Sequence, residues 1–247
     1  MNVDKDEQLV IALRSAASTL ARHRSIRDLE QTLGEIVAAA VDTIPGVDAG
    51  SISMVESGQV QTRQPTSDDI GELDDKQSQL HEGPCITAIE DPPESGMVVA
   101  QDLAGADGDR WPRFGPVVVE AGYRGLMSAH LSVEGGVRAA LNLYATSPDA
   151  FDATARTLAG LFGIQAAILL YGVNQAGHLQ KAVDSRDLIG RAKGILSERF
   201  GVDDDTAFQM LVKSSQDTNL KLTAVAQWLT ESTGPGTARG EGPSATL

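Results

Sequence analysis

Residues 186–200 read Arg186-Asp-Leu-Ile-Gly-Arg-Ala-Lys-Gly-Ile-Leu-Ser-Glu-Arg-Phe200. At 100° per residue the apolar side chains of this stretch fall on one side, as a helix packed against a core requires. They are Leu188, Ile189, Ala192, Ile195 and Leu196. Arg186 and Lys193 share the opposite side with Gly190 and Ser197, so that side is cationic and otherwise small. The pattern indicates either a solvated helix face or a surface that a polyanion approaches closely.

Two shorter helices are predicted to follow. Gly201 ends the first helix because glycine adopts the left-handed conformation easily. The acidic run 203–205 then opens a second helix, since carboxylates suit a helix N-terminus. Its predicted buried face consists of Ala207, Phe208, Leu211, Val212 and Ser215. Residues 217–219 break it, and a third helix is marked by Leu222, Val225, Ala226 and Leu229.

A set of residues in this region has the spacing of a known family. The set comprises Ser185-Arg186, Ile189, residues 192–196, Ala207-Phe208, Leu211, residues 214–216, residues 219–222 and Val225-Ala226. With these residues the region resembles the ANTAR domain, a three-helix RNA-binding module of bacterial transcription antiterminators, over roughly residues 176–232. The resemblance implies that the module binds RNA.

The resemblance and the cationic face together suggest which side chains contact RNA. The expected phosphate contacts are Arg186, Lys193 and Lys221, with Gly194 beside them. The residues expected to hydrogen-bond exposed loop bases are Ser214, Gln216 and Asn219. Arg191 lies off the small-residue face and is assigned to a dimer contact or to solvent.

The composition describes a soluble globular chain. Of 247 residues, 41% are hydrophobic and 22% are charged. No run approaches the eighteen apolar residues of a membrane span, and the acidic N-terminus does not resemble a secretory signal. The single cysteine, Cys85, fits a reducing cytoplasm. We therefore expect a cytoplasmic protein that does not bind membranes.

The net charge of −14 is unevenly distributed along the chain. Residues 1–173 carry 12 basic and 25 acidic side chains, whereas residues 174–233 carry 7 and 8. The acidity therefore belongs to the N-terminal two-thirds, and the nearly neutral C-terminal module gathers its cations on chosen faces. This predicts modest, dimer-dependent affinity for nucleic acid.

The N-terminal two-thirds alternates helical and strand patterns. Helices are predicted over 7–22, 26–44 and 70–80, from Pro84, from Trp111 and over 153–173. Strands are predicted over 49–56, 60–64, 97–101, 126–133 and 137–145. This order predicts an α+β domain whose antiparallel sheet is covered by helices at one face.

The segment Leu80-His-Glu-Gly-Pro-Cys-Ile-Thr-Ala-Ile89 closely resembles a segment of actinobacterial GAF–ANTAR proteins, which are two-domain antitermination regulators. About residues 25–173 resemble a GAF domain, a fold that senses small molecules. The resemblance implies a ligand between the sheet and its covering helices. The residues that are candidates to line that site, or else to form core, are Cys85, Trp111, Phe114 and Tyr123. The ligand and any cofactor remain unknown.

The predicted domain plan has four parts. Residues 1–24 form an N-terminal helix, 25–173 the GAF-like α+β sensor domain, and 174–233 an all-α ANTAR module. Residues 234–247 are rich in glycine and proline and are expected to form a disordered tail. Helical residues from Ala153 to Gly194 join the two domains and offer a dimer seam. The apolar residues of that seam are Ile164, Ile168, Val173 and Leu179.

Catalytic and metal chemistry find little support in the sequence. Cys85 is either a thiol activated by a helix N-terminus or a small buried hydrophobe. A GAF-type methionine sulfoxide reductase would need further cysteines. Four scattered histidines lack metal-ligand spacing, although a haem ligand stays open. No nucleophile elbow, phosphate loop or dinucleotide fingerprint is present, so we expect neither enzyme activity nor a metal site.

The resulting hypothesis is a ligand-responsive, dimeric antiterminator that holds tandem RNA hairpin loops and prevents terminator formation. Two other functions stay open. The last three helices could form a helix-turn-helix DNA-binding module, in view of residues 223–228, or the chain could sense a ligand and regulate a protein partner without nucleic acid.

Overall fold

A computed structural model describes residues 29–133 and 137–232 of the chain, without the side chains of residues 132, 133 and 137. The predicted helix over 7–22 and the predicted tail over 234–247 lie outside these residues. The chain divides into two compact units between Asn174 and Gln175.

The first unit is built on a five-stranded antiparallel sheet of order β2-β1-β5-β4-β3. Its strands are β1 Ala49–Glu56, β2 Gln59–Arg63, β3 Met97–Ala100, β4 Gly125–Val133 and β5 Val137–Ala145. The central hairpin pairs Gly125 with Ala145 at one end and Val133 with Val137 at the other. The antiparallel sheet and its strands were predicted from the alternating patterns.

Helices cover both faces of this sheet, so the prediction of one covered face is wrong. The helices are α1 Leu29–Thr43, α2 Asp68–Leu80, α3 Pro84–Glu90, α4 Phe114–Glu120 and α5 Ala153–Phe200, with a 3₁₀ turn at Gly108–Arg110. One core joins α1 and α5 to strand residues such as Leu141 and Leu143. The other joins α2, α3 and α4 to Ala140 and Tyr144. Because neighbouring residues of a strand point to opposite faces, one central strand serves both cores.

The second unit consists of the C-terminal part of α5 with α6 Asp204–Thr218 and α7 Leu222–Ser232. The predicted helix ends are confirmed: Gly201 has a φ of +65° and Asn219 a φ of +54°. The Thr206 amide donates to the Asp203 side chain over 2.8 Å and caps α6. The hydrophobic core of the second unit consists of Ala192, Leu196, Ala207, Leu211, Val225, Ala226 and Leu229.

The buried face predicted for α6 differs in part from the structure, whereas the long α5 agrees with the predicted helical stretch. Phe208 is half-buried and lies outside the core of the second unit, and Val212 and Ser215 are only partly covered. The helix predicted over 153–173 and the helical stretch predicted from Ala153 to Gly194 belong to one helix of 48 residues, Ala153–Phe200. By length and composition alone α5 could cross a membrane. Its buried residues Leu158 and Phe162 pack in the sheet core, and 39% of its most apolar window is buried.

Candidate sensor core and candidate nucleic-acid interface

A cluster of buried polar side chains fills the sheet face beneath α2 and α3. We call it the polar core; it comprises Ser51, Ser53, Asp74, Gln77, Ser128, Asn142 and Tyr144. Each of these residues is at most 1% exposed. The strand members occupy alternate positions and therefore share one face, while α2 supplies the carboxylate and the glutamine.

The Asp74 carboxylate is the centre of the polar core. Its Oδ1 accepts hydrogen bonds from Tyr144 (2.6 Å), Asn142 (3.2 Å) and Gln77 (3.3 Å), and its Oδ2 accepts one from Ser51 (2.5 Å). Thr62 Oγ1 also donates to Oδ2, over 3.5 Å, and all of these donors are uncharged. Burial raises the pKa of the Asp74 carboxyl to about 6, and the hydrogen bonds from Ser51, Tyr144, Asn142 and Gln77 oppose that rise.

Asn142 connects the carboxylate to the strand hydroxyls. Its Nδ2 donates to Ser53 over 2.9 Å, and its Oδ1 accepts from Ser128 over 2.9 Å. The polar core is therefore a continuous network across β1, β5, β4 and α2, which is the condition under which buried polar groups are tolerated.

The segment Glu82-Gly-Pro-Cys85 is held against this network through its backbone. The Cys85 amide donates to Gln77 Oε1 over 3.0 Å, and Pro84 occupies the first turn of α3 as predicted. Gly83 has a φ of +129°, and a Cβ there would lie 2.2 Å from Gln77 Oε1. Glycine is therefore required for both conformation and space.

Glu82 joins the same segment to α4. Its carboxylate accepts from the Arg113 amide over 2.9 Å and from Arg113 Nε over 2.6 Å. It also accepts from the Phe114 amide over 3.3 Å, at the start of α4. The contacts of this motif are thus architectural, since they fix the helices that cover the polar core.

The four residues predicted to line a ligand site lie together on this face. Cys85, Trp111 and Phe114 are buried in the core beneath α2, α3 and α4. Tyr123 is partly buried, with its ring 5.5 Å from that of Tyr144. The Trp111 indole donates to Thr87 over 3.3 Å.

Of the two roles predicted for Cys85, an activated thiol or a small buried hydrophobic residue, the structure shows the second. Its side chain is 1% exposed, and burial together with the nearby Asp74 raises the pKa of its thiol to about 12. The thiol therefore stays protonated at neutral pH, which is the opposite of activation by a helix N-terminus.

The second unit carries an open groove of about 960 Å³ along the C-terminal part of α5. Arg186, Gly190 and Lys193 line it, as the helical pattern predicted for that face. Arg191 and Phe208 line it as well. Arg191, for which a dimer contact or solvent is predicted, is exposed, and its long side chain also borders the groove from beyond the small-residue face.

Lys193 is the most constrained cation of the groove. Its Nζ forms an ion pair with Asp204 Oδ2 over 2.5 Å and lies 5.8 Å from the centre of the Phe208 ring. By contrast, a Cβ at Gly190 or Gly194 would meet nothing within 4 Å. Packing within the unit therefore does not require glycine at these positions, although glycine inside a helix costs about 1 kcal/mol relative to alanine.

The remaining predicted RNA contacts do not line the groove: Gly194 follows Lys193 on α5, and the others lie around the junction of α6 and α7. Gln216, Asn219 and Lys221 are exposed there, and Ser214 is partly covered. Asn219 has a structural role besides, because its left-handed conformation ends α6. Further along, Trp228 of α7 is 69% exposed. The predicted set thus separates into two clusters within one unit.

Solved structures are similar to this chain over about 70% of its length. The chain is similar to the free methionine-R-sulfoxide reductase of Neisseria meningitidis in complex with its substrate, with 12% identity and a TM-score of 0.51 over 70% of this chain and 93% of that one. It is also similar to the GAF domains of phosphoenolpyruvate-protein phosphotransferases from Coxiella burnetii (17% identity, 68% of this chain, 96% of that one, TM-score 0.48) and Acinetobacter (14%, 68%, 98%, 0.48). Identities this low show the fold alone.

Two family models match the chain, one in each unit. The model described as GAF domain matches residues 26–170, more than half of the chain, and the model described as ANTAR domain matches residues 177–229. No curated protein shows a significant sequence match. Both domains are regulatory rather than catalytic, and the actinobacterial subtype stays a prediction. The chain therefore belongs to the GAF domain family and, with an ANTAR domain following its GAF domain, is a GAF–ANTAR signal-sensing regulator.

Proposed function

We propose that this protein is a cytoplasmic transcription antiterminator without enzyme activity. Its ANTAR domain binds tandem RNA hairpin loops and prevents the overlapping terminator from forming. A small ligand or signal at the GAF domain controls this binding, and the active species is a homodimer. We expect residues 25–173 and 174–233 to act as the sensor domain and the RNA-binding domain.

The groove of the second unit is the observation that supports RNA binding most directly. It gathers Arg186, Arg191 and Lys193 within a domain that is nearly neutral overall. Phosphate contacts by lysine and arginine supply most of the salt-dependent affinity for nucleic acids. Gly190 has no side chain to project into the groove, so the RNA backbone has room to approach the helix.

A gel shift with an RNA carrying two short-loop hairpins tests the proposal. The double variant Arg186→Ala/Lys193→Ala is expected to bind about tenfold or more weakly at low salt, because two phosphate contacts are lost. The control is Arg199→Ala/Lys213→Ala, which removes the same charge from exposed positions outside the groove. Equal binding by both variants, with helical circular dichroism unchanged, would show that the groove is ordinary surface.

The polar core is where we expect the signal to act on the GAF domain. Cys85, Trp111, Phe114 and Tyr123 border the face on which Asp74 and its partners lie. A ligand that enters this face must exchange hydrogen bonds with the network, which couples its chemistry to α2 and α3. Such a ligand should raise the melting temperature of the wild type and not that of Asp74→Ala.

The dimer is proposed on the basis of exposed apolar residues along α5. Ile164, Ile168 and Leu179 are 60%, 54% and 70% exposed, which is unusual for large aliphatic side chains. We expect Ile168→Asp to shift the chain towards monomer in sedimentation velocity. The control Gln180→Asp places the same new charge at another exposed position of α5. A monomeric wild type would contradict the proposed dimer.

The two competing functions predict different results with the same protein. In a helix-turn-helix DNA-binding protein the recognition helix, here the last one, enters the major groove of the DNA. Yet α7 contains no lysine or arginine. Duplex DNA that competes as well as hairpin RNA would nevertheless favour that function. A protein partner retained after nuclease treatment, with no RNA shift, would favour a protein-interaction module.

A further inference from the structure

The contacts of Lys193 suggest how the free ANTAR domain controls its own groove. Lys193 is one of the three basic residues that line the groove, yet its ammonium is already held by Asp204. The lysine side chain is 21% exposed, whereas the aspartate side chain is 73% exposed. The lysine therefore lies against the domain, and its anionic partner lies on the outside.

The face of the Phe208 ring supplies a second contact to the same ammonium. Lys193 Nζ lies 5.8 Å from the ring centre, within the range of a cation–π interaction. Phe208 also lines the groove and is not part of the hydrophobic core. In the free domain the lysine is therefore folded back between an aromatic ring and a carboxylate.

We propose that Asp204 is an intramolecular stand-in for an RNA phosphate at Lys193. In the free domain its carboxylate neutralises the ammonium and holds it near Phe208. When RNA binds, a backbone phosphate replaces the carboxylate, and Asp204 swings out into solvent. The inference rests on the proposed RNA-binding function and adds a regulatory contact to that same site.

The energetics of the pair suit an exchange of this kind. Exposed ion pairs contribute little because water and salt screen them. A carboxylate that is largely exposed can therefore leave at low cost. A backbone phosphodiester matches it in charge and in acceptor oxygens, and the neighbouring phosphates of the strand add attraction to the cations of the groove. Asp204 then lowers RNA affinity modestly and favours anions that compete well for the lysine.

The test is RNA affinity in Asp204→Asn, measured by anisotropy with a labelled tandem-hairpin RNA at fixed salt. We expect binding to tighten about threefold to fivefold, the range that an exposed ion pair supports. Asp205→Asn is the matched control, because Asp205 lies in the same first turn of α6 and the described ion pairs do not include it. It removes the same charge and should change affinity less than about twofold.

A double-variant cycle makes the assignment specific. In the Lys193→Ala background, Asp204→Asn should have no more effect than Asp205→Asn, since the ammonium that it frees is absent. Equal effects of the two aspartate variants in the wild-type background, or weaker binding by Asp204→Asn, would overturn the inference while leaving RNA binding intact. A wild-type protein that binds no RNA would overturn the proposed function and this inference together.

Discussion

The polar core of the GAF domain and the groove of the ANTAR domain use polar side chains in opposite ways. In the polar core, Asp74 is fully enclosed and satisfied by uncharged donors from neighbouring elements. In the groove, Arg186 and Arg191 are exposed, and the carboxylate that pairs with Lys193 is itself largely exposed. Buried polar groups must be satisfied within the fold, whereas exposed cations remain available to a partner. Substitutions in the two regions should therefore affect different measurements.

Removal of the central carboxylate should give the largest effect on stability. Asp74→Ala is expected to lower the free energy of unfolding by about 5 kcal/mol, because each buried donor left without a partner costs about 1–3 kcal/mol. Urea denaturation measures this loss. Asp75→Ala changes an exposed neighbour on α2 and should stay within about 0.5 kcal/mol. Similar values for the two variants would contradict the structural importance of the polar core.

A substitution of Gly83, whose backbone lies beside Gln77, should lower stability nearly as much. Gly83→Ala is expected to cost about 3 to 4 kcal/mol, since it combines an unfavourable φ with displacement of the Gln77 amide from Cys85. Gly58→Ala is the control for φ alone, because Gly58 has a φ of +82° and a Cβ there would meet nothing within 4 Å. We expect about 1 kcal/mol for Gly58→Ala in the same denaturation assay. Equal losses would show that the contact with Gln77 adds nothing.

The pH dependence of stability should distinguish the buried Asp74 carboxyl from the carboxyls at the surface. The folded pKa of Asp74 is raised from its ordinary 3.8 to about 6, so the folded protein binds this proton more tightly than the unfolded chain does. Its contribution to stability is complete below the ordinary pKa and is lost as pH rises through about 6, by up to about 3 kcal/mol. The stability difference between wild type and Asp74→Asn, measured from pH 4 to 7, isolates this contribution. A difference that moves in favour of the wild type as pH rises would contradict the assignment.

A substitution in the groove should have the smallest effect on stability of those considered and a clear effect on RNA binding. Phe208→Leu is expected to weaken binding to tandem-hairpin RNA about threefold, because the aromatic ring that holds the Lys193 ammonium in the groove is lost. Its stability should change little, since Phe208 lies outside the core. Phe200→Leu is the control, as Phe200 is exposed and does not line the groove. Equal RNA affinities would remove Phe208 from the interface.

Features set by nearby residues could be predicted from the sequence. The ends of α5 and α6 follow from Gly201, Asp203 and Asn219, each of which acts on its own helix end. The central hairpin and the start of α3 at Pro84 follow in the same way from turn residues and strand alternation. Local backbone preferences decide all of these, and such preferences are visible in a short window of sequence.

The polar core could not be predicted because its contacts join distant parts of the chain. Ser51 is 23 residues from Asp74, and Asn142 is 91 residues from Ser51. The alternating pattern of β1 predicts that Ser51 and Ser53 share one face of the sheet, but it does not show which helix covers that face. Phe208 was assigned to the core for a related reason. Helical periodicity identifies the edge of an apolar side, and only the neighbouring helices determine whether that edge is covered.

The positions of the two tryptophans have a spectroscopic consequence. Trp111 is buried within the GAF domain, at 5% exposure, and Trp228 lies exposed on the ANTAR domain. An indole in an apolar environment emits at shorter wavelengths than one in water, so the intrinsic fluorescence of the chain is the sum of a blue component and a red component. Each component belongs to one domain. A quencher in solution should suppress the red component first, which leaves the emission of the sensor domain as an internal optical reporter.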